Sequence, residues 1–160
     1  MHPVALCTGW RCASGGTVVR MDDLSRFVQA QDANGTYDQA LAELRRGRKT
    51  SHWMWFVLPQ VRGLGHSGMA VRYGIADLDE ASAYLAHSVL GSRLHECCGA
   101  LLALPQEATA DSVMGGIDAM KLRSSMTLFH RADPQDPSFS AVLERYFGGA
   151  TDDATDALLT

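Results

Sequence analysis

The chain has 160 residues, of which 46% are hydrophobic and 20% are charged. These proportions are typical of one globular domain with a single core, without disordered linkers or fixed-period repeats. The net charge of −4 argues against a general nucleic-acid-binding protein, because phosphate contacts require a basic face. No run approaches the roughly 18 apolar residues of a membrane span, and no signal peptide is evident. We therefore expect a soluble, cytoplasmic protein.

The cysteine spacing does not suggest a disulfide framework or a zinc site. Cys7 and Cys12 lie near the start, and Cys97 and Cys98 are adjacent within an apolar segment, where packing is their expected role. The six histidines also lack the spacing of metal ligands. We predict neither a metal site nor a bound cofactor.

The first twenty residues differ from the rest of the chain. They show no sustained apolar period, contain the Gly15-Gly16 pair and are followed by Met21. We predict a poorly ordered extension over residues 1–20 and a single compact domain over residues 21–160.

The rest of the chain is dominated by helical periodicity, which predicts an all-α, or nearly all-α, domain of about seven to nine helices. Asp22 or Asp23 is a candidate N-cap of the first helix, Thr36 of the second, and Asp77 or Asp79 of the third. The predicted helical segments, in chain order, are DLSRFVQAQDA, YDQALAELRRG, DLDEASAYLAHS, SVLGSRLHECCGALLALP, TADSVMGG, residues 117–130, DPSFSAVLERYFGG and TDDATDALL.

Stop signals follow three of these helices. The Asn34-Gly35 pair ends the first helix and Gly47 the second, while Pro105 lies beyond the end of the fourth. Residues with left-handed backbone conformation favour such ends, and proline cannot continue a helix.

Residues 50–58 contain bulky apolar side chains at almost every position. A strand would place Trp53, Trp55 and Val57 on one side, whereas a helix would group Trp53, Phe56 and Val57. Both alternatives predict a central segment with two apolar faces. Pro59 and the glycines that follow then indicate a loop.

The helix predicted from residue 117 to residue 130 has two apolar groups with a polar stripe between them. The groups are Ile117, Met120 and Leu128, and Leu122, Met126 and Phe129; the stripe is Asp118, Lys121 and Ser125. If both groups are packed, the stripe faces inward or into a cleft. A buried ammonium group then needs a carboxylate, an anion or water.

Two interpretations of Lys121 remain open at this point. It can form an ordinary i,i+3 pair with Asp118 at the edge of the apolar arc. Alternatively, Lys121 binds an anionic or heavily hydroxylated ligand, with Ser124 or Ser125 as hydroxyl donors.

The segment KTSHWMWFVLPQ raises a similar question. His52 is either a rim residue or a catalytic group, while Trp53 and Trp55 offer flat faces for a ring and Gln60 can read its polar edge. The basic run from Arg45 to Lys49 either complements the end of its helix or clamps a phosphate. The glycines that follow allow a ligand to approach the backbone closely.

Glu80, Tyr84 and His87 share one face of a predicted helix. They form either a polar stripe or an acid/base group.

Several quoted segments together resemble a bacterial family known as domain of unknown function 1810, whose members are sometimes mislabelled calpastatin. The segments are FVQAQ, YDQALAELRRGRKTSHWMWFVLPQ, GLGHS, EASAYLAHSVLGSRL, GGIDAMKLRSSMTLF and DDATDALL. The resemblance covers residues 22–159 and implies a small, mostly helical intracellular domain without an established activity. It also agrees with an N-terminal extension outside the domain.

A more distant similarity concerns the NADAR superfamily of small helical proteins, which are associated with NAD and ADP-ribose chemistry and N-glycosidic bond cleavage. It rests on the order of a helix with Glu80, a helix with Lys121 and Met126, and the segments FSAVLERYF and DATDALL. The segment SHWMWFVLPQ departs from that superfamily.

The leading hypothesis is a ligand pocket for a small anionic, nucleotide-derived or ADP-ribose-like compound, bound or hydrolysed by N-glycosidase chemistry. The candidate catalytic residues are Glu80, Asp118, Lys121 and His52. The candidate ligand-binding residues are Lys49, Ser51, Trp53, Trp55, Gln60, Gly63, Gly65, Ser67, Ser124 and Ser125. In this mechanism Glu80 or Asp118 steadies oxocarbenium-like charge, and Lys121 neutralises a phosphate or leaving group. The alternative is a non-catalytic protein-interaction module.

Overall fold

A computed structural model describes residues 10–12 and 18–160 of the chain, with side chains from residue 23 onward. The strands are β1 (Trp10–Cys12) and β2 (Val18–Arg20), and the helices are α1 (Ser25–Asp32), α2 (Thr36–Arg46), α3 (Met54–Val57), α4 (Gly68–Tyr73), α5 (Leu78–Ala86), α6 (Leu90–Leu102), α7 (Ala110–Met114), α8 (Gly116–Ala132), α9 (Pro137–Phe147) and α10 (Asp153–Leu159). The predicted nearly all-α domain is confirmed.

The predicted N-terminal extension falls largely outside the described residues, since residues 1–9 and 13–17 are among those not described. The two short strands pair antiparallel, with Trp10 opposite Arg20.

Local end signals account for three helix boundaries that the sequence predicted. Asn34 and Gly35 adopt left-handed conformations, with φ of 56° and 67°, between α1 and α2. Gly47, with φ of 81°, ends α2. The carboxylate of Asp77 accepts a hydrogen bond of 2.9 Å from the Glu80 amide and so caps α5. These features agree with the sequence predictions for the ends of α1 and α2 and the start of α5.

The predicted N-caps of the first two helices are wrong. A 3₁₀ turn from residue 21 to residue 24 leads into α1, whose N-cap residue is Leu24. The N-cap of α2 is Gly35, and Thr36 is already helical. The Thr36 hydroxyl donates to the Ala33 carbonyl at 2.6 Å, so it stabilises the preceding turn instead.

The long helix α8 lies at the centre of the helical packing and contacts α5, α7, α9 and α10. Its Phe129 ring lies 5.2 Å from the ring of Tyr84 on α5 and 5.7 Å from that of Phe139 on α9. Tyr84 in turn meets Phe27 edge to face at 5.2 Å. This chain of buried aromatic rings joins α1, α5, α8 and α9 in one core.

The segment 50–58 follows the helical alternative. Trp53, Phe56 and Val57 are buried together, whereas Trp55 is only partly buried. The structure forms a single helical turn, α3, with Trp53 as its N-cap residue. The segment is therefore central, and the two tryptophans have different environments.

One assumption about α8 is wrong. Leu122, Met126 and Phe129 are buried, and so is Leu128, but Ile117 is 74% exposed and Met120 is 72% exposed. Ala119, on the same turns, is buried, so Ile117 and Met120 lie on the side of α8 that faces away from the core. Asp118 and Lys121 therefore lie at the rim of the core, beside exposed apolar groups, whereas Ser125, the third member of the stripe, is buried.

Among the described residues, no helix combines the length and apolar character needed to cross a membrane.

A histidine–aspartate pair joins α6 to the start of α9. His95 Nε2 lies 2.5 Å from Asp136 Oδ2, and His95 Nδ1 lies 2.8 Å from the Gly91 carbonyl. Both ring nitrogens thus face acceptors, which favours the doubly protonated ring. Burial alone would lower the pKa of His95, but Asp136 and the Gly91 carbonyl outweigh it and raise the pKa above its usual value.

This pair predicts a pH-dependent contribution to stability. A histidine with a raised folded pKa stabilises the fold fully below its unfolded pKa of about 6.5, and this contribution is lost as the pH rises through the folded value. We expect the difference in unfolding free energy between the wild type and His95→Gln to be largest near pH 5.5 and to shrink toward pH 9. Because the His95 side chain is 41% exposed, the change should stay below about 1 kcal/mol. Urea unfolding at both pH values measures it, and a difference that grows with pH would contradict the assignment.

Candidate functional site

Two lysines and one carboxylate meet where the segment before α3 approaches the start of α8. Lys49 Nζ lies 2.7 Å from Asp118 Oδ2, and Lys121 Nζ lies 3.8 Å from Asp118 Oδ1. The ammonium of Lys49 lies 5.0 Å from the centre of the Trp53 ring, and that of Lys121 lies 4.9 Å from the Trp55 ring. The i,i+3 pair predicted between Asp118 and Lys121 is therefore present, but the closer partner of Asp118 is Lys49.

The two lysines differ in their access to water. The Lys49 side chain is 7% exposed, whereas those of Lys121 and Asp118 are 25% and 21% exposed. Lys49 also donates to the Ser51 carbonyl at 2.6 Å. Lys49 is consequently a fixed, largely desolvated charge, and Lys121 is a partly solvated charge beside it.

Two open clefts adjoin this cluster and share Ile117. The larger cleft, of about 430 Å³, lies between the tryptophan segment and the start of α8; it is lined by Lys49, His52, Met54, Trp55, Met114, Gly115, Gly116, Ile117 and Asp118. The smaller cleft, of about 270 Å³, lies between the loop after α3, α8 and the start of α10; it is lined by Gln60, Leu64, Gly65, Ile117, Met120, Lys121, Ser124, Asp152 and Ala154. The cluster thus contributes charged groups to both clefts.

The structure brings most of the predicted tryptophan-segment residues to these clefts, with two exceptions. His52 is exposed and lines the larger cleft, and the partly buried Trp55 lines it too. Trp53 is fully buried, so its ring supports Lys49 from beneath and is not available to a ligand. The Ser51 hydroxyl is not available to a ligand either, because it donates to Glu43 at 2.6 Å.

The loop after α3 contributes Gln60 and Gly65 to the smaller cleft. A Cβ atom on Gly65 would lie 2.9 Å from the Cβ of Ala70, so this glycine permits a close approach to α4. Gly63 has a φ of 109°, which strongly favours glycine. Ser67 lies farther on, where its hydroxyl caps α4 by accepting a hydrogen bond from the Ala70 amide at 3.1 Å.

The predicted serines on α8 have different environments. The Ser124 hydroxyl lines the smaller cleft but donates to the Met120 carbonyl at 3.1 Å and lies 3.0 Å from Asp152 Oδ2. Ser125 is fully buried, and its hydroxyl has no hydrogen-bond partner within the described residues. Ser125 lines neither cleft.

The predicted group on α5 is not brought to either cleft. Glu80 Oε2 pairs with Arg26 at 3.2 Å, and its Oε1 accepts from the Ala76 amide at 2.7 Å. Tyr84 is fully buried, and burial raises the pKa of its hydroxyl. His87 Nδ1 accepts from the Val89 amide at 3.1 Å. All three side chains have structural contacts that tie elements of the fold together.

Sequence reasoning missed Glu43, a fully buried carboxylate on α2. It accepts hydrogen bonds from the Thr50 and Ser51 amides at 2.7 and 3.0 Å and from Trp53 Nε1 at 2.9 Å. Burial would raise its pKa, but these donors and the Ser51 hydroxyl lower it to about 2. The residue is therefore ionised, and it holds the segment between α2 and α3 in place.

No group of three or more histidine, cysteine, aspartate or glutamate side chains within the described residues could hold a metal ion. Cys97 and Cys98 are free and buried in α6. Burial raises the pKa of Cys97 to about 12, so its thiol is a packing group and not a nucleophile.

Comparison with known families identifies the family to which this chain belongs. The sequence model of a family described as "Protein of unknown function (DUF1810)" matches residues 21–159. The chain belongs to the DUF1810 family. This DUF1810 protein is also similar to a solved structure, described as the crystal structure of the conserved hypothetical protein Rv1873 from Mycobacterium tuberculosis. The two are 52% identical, with a TM-score of 0.82 over 86% of this chain and 96% of that one. No curated protein matches the chain.

For this DUF1810 domain, Glu43 had only a weak sequence signal. It lies on the face of α2 that also carries the buried residues Ala40 and Leu44. An acidic residue on an apolar helical face that precedes a tryptophan-rich segment indicates a buried hydrogen-bond acceptor.

Proposed function

We propose that this DUF1810 protein binds a small anionic ligand of the nucleotide or ADP-ribose type at the two clefts beside Asp118. The observation that carries the proposal is the arrangement of two ammonium groups around a single carboxylate, each over an indole ring. Lys49, Lys121, Trp53 and Trp55 form this arrangement with Asp118.

The charge balance at the cleft wall favours an anion. Asp118 offers one negative charge to two ammonium groups, one of which is almost excluded from water. A desolvated cation gains from an additional anionic partner, and the low local dielectric strengthens that interaction. The linings of the two clefts together contain two lysines, Lys49 and Lys121, and two carboxylates, Asp118 and Asp152, so the excess of positive charge is confined to the cluster around Asp118.

The walls around the charges suit a ligand with a planar group. The partly buried Trp55 lines the larger cleft and Gln60 the smaller one. An indole face stacks on a heterocycle, and an amide reads the polar edge of a ring. The larger cleft also includes Gly115 and Gly116 at the start of α8, where helix amide groups without intrahelical acceptors favour negative charge.

A hydrolytic step is a further part of the proposal. In an N-glycosidase reaction water would attack the anomeric carbon as the bond to the leaving base breaks. Asp118 would steady the positive charge that develops on the sugar and orient that water, and Lys121 would neutralise a phosphate or leaving group. This class of chemistry is proposed from the order of sequence segments that resembles the NADAR superfamily. Glu80 has no part in it, because it lines neither cleft and its carboxylate contacts Arg26.

The test compares Lys121→Met with Arg46→Met. Both variants remove one positive charge, but Arg46 is exposed on the last turn of α2 and lines neither cleft. We expect wild type to bind ADP-ribose in isothermal titration calorimetry, Lys121→Met to bind at least about tenfold more weakly through loss of a charge-assisted contact, and Arg46→Met to bind as wild type does.

The free energy of unfolding distinguishes a ligand-binding role of Lys121 from a structural one. Asp118 keeps Lys49 as a partner when Lys121 is replaced, so Lys121→Met should change the unfolding free energy by no more than about 0.5 kcal/mol. Absence of binding and turnover for ADP-ribose, NAD, ADP-ribosylated nucleotides and riboflavin-pathway intermediates would contradict the proposal. Equal weakening by both variants would contradict the assigned location.

A protein-interaction module is the second candidate, and the exposed Ile117 and Met120 favour it. Exposed apolar side chains that adjoin each other often mark a contact surface. Under this alternative, a photoreactive residue at position 117 should cross-link to one partner protein in cells, and Met120→Ser should abolish that product. Lys121→Met would leave it unchanged.

A further inference from the structure

The segment between α2 and α3 is wound around the carboxylate of Glu43. Three donors reach Oε1, namely the Thr50 amide, the Ser51 amide and Trp53 Nε1. The Ser51 hydroxyl donates to Oε2 at 2.6 Å, and Gln39 Nε2 lies 3.2 Å from the same oxygen. Four of these five donors belong to the segment itself, so the carboxylate fixes its path.

The same segment carries the groups that hold Lys49. The Ser51 carbonyl accepts from Lys49 Nζ at 2.6 Å, and the Trp53 ring lies 5.0 Å from that ammonium. Both Ser51 and Trp53 are bonded directly to Glu43. Of these three contacts of the Lys49 ammonium, two come from the segment itself, and the third, to Asp118, comes from α8.

We propose that Glu43 is a positioning residue that holds Lys49 at the wall of the anion site by fixing Ser51 and Trp53. This inference rests on the proposed function for its effect on binding, but the placement of Lys49 can be measured without a ligand. Glu43 lines neither cleft. It acts through Lys49, whose ammonium it keeps close to Asp118.

The ligand-free measurement is hydrogen exchange of the Lys49 ammonium, followed in lysine side-chain ¹H–¹⁵N spectra. A fixed, hydrogen-bonded ammonium exchanges slowly with water, so wild type should give a protected Lys49 signal. We expect Glu43→Gln to lose that protection. The glutamine side chain replaces one acceptor oxygen of Glu43 with an NH₂ group, which is itself a donor and cannot accept the hydrogen bonds of the segment between α2 and α3. The matched control is Glu107→Gln, in an exposed loop residue, which should retain it.

Ser51→Ala provides a milder variant if Glu43→Gln does not fold. It removes one donor to Glu43 but retains the Ser51 carbonyl that binds Lys49. We expect faster exchange of the Lys49 ammonium with the fold preserved by circular dichroism. Unchanged Lys49 protection in folded Glu43→Gln, or in Ser51→Ala if the first variant is unfolded, would overturn the proposal.

A double-mutant cycle tests the effect on affinity. With ADP-ribose as the ligand, Glu43→Gln and Lys49→Met should each weaken binding by about tenfold, which is about 1.4 kcal/mol. The double variant should be no weaker than Lys49→Met alone, because both changes act through the same ammonium. Additivity with Lys49→Met would overturn the positioning role.

The two proposals fail in different ways. If wild type binds no ADP-ribose while Glu43→Gln abolishes Lys49 protection, the proposed ligand class is wrong and the positioning role stands. If wild type binds ADP-ribose and Glu43→Gln changes neither Lys49 protection nor affinity, the positioning role is wrong and the anion site stands.

Discussion

Replacing Trp53 by alanine is expected to lower the free energy of unfolding by about 3–5 kcal/mol, the usual cost of deleting a large buried aromatic side chain. Trp53 is fully buried, so the substitution leaves a cavity. It also removes the indole N–H that donates to the buried carboxylate of Glu43 at 2.9 Å. For a chain of this size the loss corresponds to a decrease in Tm of roughly 6–20 °C, measured by calorimetry.

Trp55→Ala is the matched control, because this tryptophan is two residues away and only partly buried. We expect it to cost less than half as much as Trp53→Ala, since less apolar area returns to water. Trp53→Phe, which retains most of the ring but no N–H, should fall between them. Equal costs for the two alanine variants would contradict the different environments of the two rings.

Replacing Gly91 by alanine is expected to destabilise the protein by about 2 kcal/mol or more, as is typical of an overpacked position. Gly91 is buried near the start of α6, where a Cβ atom would lie 3.1 Å from the carbonyl carbon of Leu85 and closer still to its oxygen. That oxygen belongs to the backbone of α5, so it cannot move aside as a flexible side chain would.

Gly99→Ala in the same helix should change the free energy of unfolding in the opposite direction. Gly99 is exposed, and a Cβ atom there would meet no other atom within 4 Å. Alanine is favoured over glycine in a helix by up to about 1 kcal/mol, so this variant should be more stable than wild type. Urea unfolding of both variants gives the comparison. A stabilised Gly91→Ala would show that α5 and α6 are not in such close contact.

The sequence predicted the helices well because their signals are local. Asp77 can cap α5 from the chain beside it, and Asn34, Gly35 and Gly47 end helices through their own backbone conformations. The caps of α1 and α2 were predicted wrongly, since several neighbouring residues there could each act as a cap. Which one does so depends on the path of the chain before the helix.

The candidate site was only partly predictable. Side-chain types indicated that Lys121, Asp118 and Trp55 lie near one another, and the structure places them together. The condition that both apolar groups of α8 are packed is not met, because Ile117 is exposed. A helical wheel shows which residues share a face, and it does not show where along the helix its neighbours end.

The amino-acid pattern by itself determined that the described chain is a helical domain, that α8 carries a polar stripe between apolar groups, and that the tryptophan segment is central. These properties depend on residues close together in the chain. Only the tertiary structure decided that Lys49 is the nearer partner of Asp118, that Glu43 organises the tryptophan segment, and that Glu80 pairs with Arg26. Each of these contacts joins separate elements, and the free energy of a buried charge depends on which element supplies its partner.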